Sequence, residues 1–175
     1  LKQTQTFKAP YADASIKKCE SNLCLEFLEN NSTAILTISS FNFYPWNNLN
    51  EFETFIDESF KKLKEQSTKN LIIDLRFNGG GSPESSIYLL KYLMNKPFTY
   101  FTDENIKPHA NPFNGQLYFL IDGNGKSTTG HFMALAKHHK LGTIIGEELG
   151  SNQMCTAGQT VCRLTNTKLV FFLFL

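Results

Sequence analysis

Two groups of residues in this 175-residue chain have the types and surroundings to do chemistry: the run Asn78-Gly79-Gly80-Gly81, and Ser127. Consecutive glycines let bare main chain approach a reacting atom and aim N–H groups at it, because no Cβ blocks the approach. A serine hydroxyl becomes a nucleophile once a base takes its proton. Both groups sit in the same kind of place. The apolar run Leu71-Ile72-Ile73-Asp74-Leu75 precedes the glycines, and an amphipathic stretch from Pro83 to Leu93 follows them. The apolar residues 117–121, then Asp122 and a glycine-bearing loop, precede Ser127, and a helical pattern over 128–139 follows it. Strand, loop, helix is the geometry of an anion or oxyanion site.

A serine at the loop-to-helix junction has the unpaired N–H groups of the first helical turn, and the positive end of the helix dipole, just beyond it. An oxyanion formed there gains from both. The plainer role is an N-cap, and local sequence alone favours it. For the glycines the plainer role is a tight turn. The segment Gly125-Lys126-Ser127-Thr128 also imitates the end of a phosphate-binding P-loop. That motif needs a glycine at position 120, where Leu120 stands, so nucleotide binding is set aside.

The elements that must position these groups follow from periodicity. Residues 23–28 alternate, 29–32 read as a turn and 34–38 as a second strand, together a hairpin. Apolar Phe52, Phe55, Ile56, Phe60 and Leu63 define one face of a helix over 51–66, with Asn50 as its cap. A strand at 71–75, a helix over 84–95, a loop over 96–115 with three prolines, and a strand at 117–121 come next. The helix after Ser127, a strand at 143–145, a glycine-bearing loop over 146–158 and strands near 159–164 and 168–174 complete the chain. The apolar end, residues 169–175, reads as a buried strand. Strands alternating with helices predict an α/β domain with a mostly parallel core and an antiparallel hairpin.

Composition narrows the function. With 17 basic and 16 acidic residues there is no basic stripe, so nucleic acid is not expected as a partner. No stretch reaches the roughly 18 apolar residues of a membrane span. The 16 phenylalanines scatter through periodic segments and read as core. Cys19, Cys24, Cys155 and Cys162 lack zinc-knuckle spacing, and disulfides and free thiols remain equally open. No metal or cofactor is called for. The chain starts without Met or a signal peptide and stops on an apolar run, which suggests a fragment or processed piece. The expected organisation is a lead-in with the first hairpin strand over 1–33 and one core over 34–175, truncated at one or both ends.

Taken in order, LIIDLRFNGGG, GQLYFLIDGNGKSTTGHFMALAK and LGTIIGEELGSN resemble the C-terminal processing (tail-specific) serine peptidases, and within them the branch related to the tricorn protease core. The resemblance runs from about Ala34 to the end. It implies a ClpP/crotonase-like superhelical core of β-β-α units. It implies a serine endopeptidase that cleaves peptide or protein substrates through an acyl-enzyme, outside the cytoplasm. By resemblance, Ser127 matches the nucleophile, the Thr128 N–H one oxyanion donor, and a loop glycine, taken as Gly80, the other. Asp74 and Arg76 are read as bracing the loop.

The general base is missing from this pattern. Where the lysine-using branch carries its base, this chain has Asn152, which cannot take a proton from serine. The tricorn-like branch uses a histidine upstream of the first core strands, and here no histidine precedes His109. His131, four residues after Ser127, lies one helical turn on, with poor geometry for deprotonation. His138 and His139 at the helix end suit the dipole. The alternative reading is therefore an inactive homologue that binds peptides or lipophilic ligands.

Overall fold

The structure is a computed structural model, and it describes residues 21–28, 31–151 and 159–174. Strand β1 (Leu23–Leu28) pairs antiparallel with β2 (Thr33–Ile38), the expected hairpin. Helix α1 (Leu49–Glu65) leads into β3 (Asn70–Asp74), which lies parallel to β2. Its cap position is Asn48 rather than Asn50, and the Asn48 side chain instead accepts from the N–H of Tyr44 at 3.2 Å. Helix α2 (Pro83–Leu93) follows the glycines. It is capped by Ser82, whose hydroxyl accepts from the N–H groups of Glu84 and Ser85, with Pro83 opening the first turn.

The proline-bearing segment expected to be a loop contains a small hairpin, β4 (Phe98–Tyr100) with β5 (Asp103–Ile106). Its turn starts at Phe101, which takes a positive φ of 51°, and Asn105 within β5 takes one of 59°. Strand β6 (Gln116–Ile121) lies parallel to β3, α3 (Thr128–His138) follows, and β7 (Thr143–Gly146) closes the sheet parallel to β6. The sheet order is β1-β2-β3-β6-β7. Strands β8 (Gln159–Arg163) and β9 (Val170–Phe174) form a separate two-stranded ribbon. Of the apolar end expected to be a buried strand, only residues 169 and 170 have described side chains, and they are not buried. Val161, Leu169 and Val170 are more than half exposed, because among the described elements this ribbon packs on itself.

Register explains the core. Ala34 aligns with Leu71 and Leu117, and Leu36 with Ile73 and Phe119. All six sit on one face of the sheet, and all are buried. On that face they meet Phe52, Ile56 and Leu63 of α1, Leu89 and Leu90 of α2, and Phe132 of α3 in a single apolar cluster. Phe132 touches both Phe41 and Phe119, with ring centroids 5.7 and 6.0 Å apart. Truncating a ring buried like Phe119 costs about 3–5 kcal/mol. The rigid consequence is that β3 and β6, neighbours in register, both end at the same edge. The glycine loop and the Ser127 loop emerge there, at the carboxyl ends of parallel strands, where such folds bind ligands.

Candidate active site

Each loop is fixed before the two meet. Asp74, at the end of β3, forms a two-point ion pair with Arg76, with Nε at 2.9 Å and a terminal guanidinium nitrogen at 2.7 Å, and it accepts the Arg76 N–H at 3.1 Å. The chain then turns through Phe77 at φ 64°. The Phe77 N–H donates to both carboxylate oxygens of Asp122 at 3.1 Å, which ties the first loop to the second. Burial pushes the Asp122 carboxyl up. The N–H of Phe77, both donors of Asn124 and the nearby Arg76 outweigh it and hold the group below its ordinary value.

Asn78, fully buried, joins three parts of the fold. Its side-chain amide donates to Ile38 O at the end of β2, 2.9 Å away. Its Oδ1 accepts from the Gly80 N–H at 2.9 Å and lies 2.9 Å from Thr129 Oγ1. Its main-chain carbonyl accepts from Lys126 N at 3.3 Å. The sequence carried a signal for part of this: an asparagine can accept from the N–H two residues on, which builds a turn. Its link to Thr129, 51 residues away, had none.

The two loops converge. A Cβ added to Gly80 would lie 2.7 Å from both Ser127 Cβ and Lys126 O, and 3.0 Å from Thr128 N. Only a glycine, here at φ 97°, permits that approach. The Gly80 N–H, read as the second oxyanion donor, is occupied by Asn78. The neighbouring Gly81 N–H has no hydrogen-bond partner among the described residues. Phe41 N donates to Gly80 O at 3.0 Å, and the Gly80–Gly81 peptide is trans. The Gly81 N–H therefore points away from Phe41, the side on which Gly81 O accepts from Thr128 Oγ1 at 2.5 Å.

Ser127 itself is strained. It takes φ 52° and ψ −125°, a conformation that side chains avoid, at the turn from strand to helix. This is the form of a nucleophile elbow, which lifts a hydroxyl above a sheet edge. The hydroxyl makes no capping hydrogen bond, so the plain N-cap role does not hold. The Thr128 N–H, first in the helix, likewise has no acceptor among the described residues, while the N–H groups of Gly130 and His131 return to Ser127 O.

The histidines lie elsewhere. The His131 ring meets Phe101 edge-on at 4.7 Å and lines an apolar cavity of about 290 Å³ with Tyr100 and Leu135. His109 stacks on Tyr92 at 4.1 Å, beside α1 and α2. His138 and His139 are exposed at the end of α3, where burial and then His138 press His139 below its ordinary value. Asn152 lies outside the described residues. Just before it, Ser151 N donates to Gly125 O at 3.2 Å, so the segment after β7 lies against the serine loop. Cys24 is disulfide-bonded and Cys162 is free, while Cys19 and Cys155 lie outside the described residues. Among the described residues no helix is long and apolar enough to cross a membrane.

The model of peptidase family S41 matches residues 32–171. The chain belongs to that family. Among solved structures it is similar to a photosystem II D1 C-terminal processing protease, with TM-score 0.63 and 16% identity over 90% of this chain and 45% of that one. It is also similar to a lipoprotein from Streptococcus agalactiae, with TM-score 0.58 and 16% identity over 83% and 55%. The tricorn protease follows, with TM-score 0.51 and 22% identity over 81% and 13%. These likenesses confirm the ClpP/crotonase-like α/β core. The chain spans about half the length of solved peptidase structures it matches. No curated protein matches it by sequence.

Proposed function

We propose that this chain carries the acylating centre of a serine endopeptidase acting on peptide or protein substrates. The observation that carries the proposal is the convergence of Gly80 on Ser127, with the unpartnered N–H groups of Thr128 and Gly81 beside it. In this reading Ser127 Oγ attacks the scissile carbonyl, and its proton passes to a general base that the described residues do not supply and then to the departing amine. The carbonyl oxygen becomes an oxyanion and accepts from Thr128 N–H and Gly81 N–H, and Gly80 supplies the bare approach. Collapse expels the amine and leaves an acyl-serine, which water hydrolyses. Each such donor is worth about 3–4 kcal/mol of barrier in measured cases. Arg76, Asp74 and Asp122 hold the loops rather than the substrate. The disulfide at Cys24 supports a location in an oxidising compartment outside the cytoplasm.

One observation favours a second reading, a silent homologue that binds peptides. Among the described residues no carboxylate, lysine or histidine side chain is hydrogen-bonded to Ser127 Oγ, and a serine without a base is a weak nucleophile. A fluorophosphonate probe separates the two. Labelling that disappears in Ser127→Ala is the expected result. Labelling that persists in that variant removes Ser127 from the chemistry, and saturable peptide binding without any labelling of the wild type selects the second reading.

A further inference from the structure

Two threonine hydroxyls at the start of α3 do something the sequence did not suggest. A threonine in a first helical turn ordinarily turns its hydroxyl to its own helix or to water. Here Thr128 and Thr129 are both buried, and both hydroxyls leave the helix for the glycine loop. Thr128 Oγ1 donates to Gly81 O at 2.5 Å. Thr129 Oγ1 lies 2.9 Å from Asn78 Oδ1 and 3.0 Å from Asn78 O, so its one proton serves that pair of acceptors. Asn78 Oδ1 in turn holds the Gly80 N–H. Every peptide group on either side of Gly81 is therefore tethered: Gly80 O by Phe41 N–H, Gly80 N–H by Asn78, Gly81 O by Thr128, and the Ser82 N–H by Phe41 O at 2.7 Å.

We propose that Thr128 Oγ1 and Thr129 Oγ1, the latter through Asn78, are positioning groups that lock the glycine loop onto the serine elbow. They set the direction in which the Gly81 N–H faces Ser127. The proposal rests on the acylating reading for its catalytic consequence, though not for its geometry. The clasp joins residues 47 and 51 positions apart, and it joins them to the same two helical residues whose main chain starts the proposed oxyanion site. A hydroxyl that merely filled space would be replaceable by a methyl group, and this one would not be.

The test compares Thr128→Val and Thr129→Val, which keep shape and remove the hydroxyl, with Thr128→Ser and Thr129→Ser, which keep it. Fluorophosphonate labelling of Ser127 is measured well below each variant's unfolding midpoint. Exchange of the Gly80 amide is followed by NMR in the same proteins. The valine variants are expected to label about tenfold more slowly, the upper end of what one net hydrogen bond gives, and the serine variants to stay near the wild type. Gly80 exchange should rise about tenfold in the valine variants, while amides of β3 and β6 stay unchanged. Valine variants that label as fast as the wild type overturn the proposal, as do serine variants as slow as valine ones. Should the wild type not label at all, the acylating reading fails. Gly80 exchange then decides the clasp alone: a rise confined to the loop supports it, and no rise overturns it.

Discussion

Replacing Gly80 by alanine should pull the two loops apart, while the same change one residue earlier should do almost nothing. The Gly80 methyl would arrive 2.7 Å from Lys126 O and from Ser127 Cβ, well inside van der Waals contact. Neither neighbour can swing aside, since one is main chain and the other is fixed at the elbow. Overpacking of this kind costs about 1–3 kcal/mol, and holding a Cβ at positive φ adds about 1–2. The sum, about 2–5 kcal/mol, is a large part of a typical folding free energy of about 5–15. The cheapest relief is for the glycine loop to lift by an ångström or so, and a misplacement of about 1 Å can cost about a hundredfold in rate. Gly79 has no atom within 4 Å of its would-be Cβ and no positive φ, so Gly79→Ala should stay within about 0.5 kcal/mol. Thermal unfolding gives the stability of each variant, and fluorophosphonate labelling of Ser127 gives the reactivity. If the two alanine variants behave alike in both assays, the close approach of the loops is not real and the reasoning built on it fails.

Other outcomes follow from the charged ties. Asp122 is held below its ordinary value, so its contribution is present above about pH 4 and is lost as pH falls through the lowered folded value. Asp122→Asn should flatten the acid limb of stability measured by urea unfolding, and an unchanged acid limb would show that the tie to Phe77 contributes little. Asp57 on α1 accepts from both Tyr88 and Tyr92 of α2 at 2.7 Å. Desolvation first, and then that carboxylate, raise both phenols above their ordinary value. The stability from these protonated phenols is present below about pH 10 and is lost as pH rises past it. Asp57→Ala should cost about 1–2 kcal/mol at neutral pH after allowance for solvent, and it should shrink the alkaline loss in the same unfolding assay.

What the sequence made legible, and what it did not, divides along a physical line. Strands β3 and β6 could be read because each is a short continuous apolar run bounded by turn residues, which suits a strand inside a parallel sheet. The placement of Ser127 at a loop-to-helix junction was legible for the same reason. The β4–β5 hairpin was not, because Asp103-Glu104-Asn105-Ile106 has no apolar alternation and its turn relies on strained torsions. The exposure of Leu169 and Val170 was not legible either, since hydrophobicity alone predicts burial and burial depends on what packs against a strand. Within the site, the role of Gly80 was legible as a need for bare main chain. Which amide stays unpartnered was not, since that depends on Asn78 reaching two residues forward to Gly80 and on Phe41 bonding from another strand end. The clasp of Thr128 and Thr129 spans about 50 residues of chain, and no local pattern encodes such a contact.

The torsion of Ser127 sets thermodynamics against utility at one point of the backbone. Its oxygen supports no helix end, and its Cβ occupies a corner of conformational space that a residue without one enters freely. Ser127→Gly would therefore leave the protein more robust by about 1 kcal/mol as it removes the hydroxyl proposed as the nucleophile. The molecule retains a side chain where the most durable version of itself would have none.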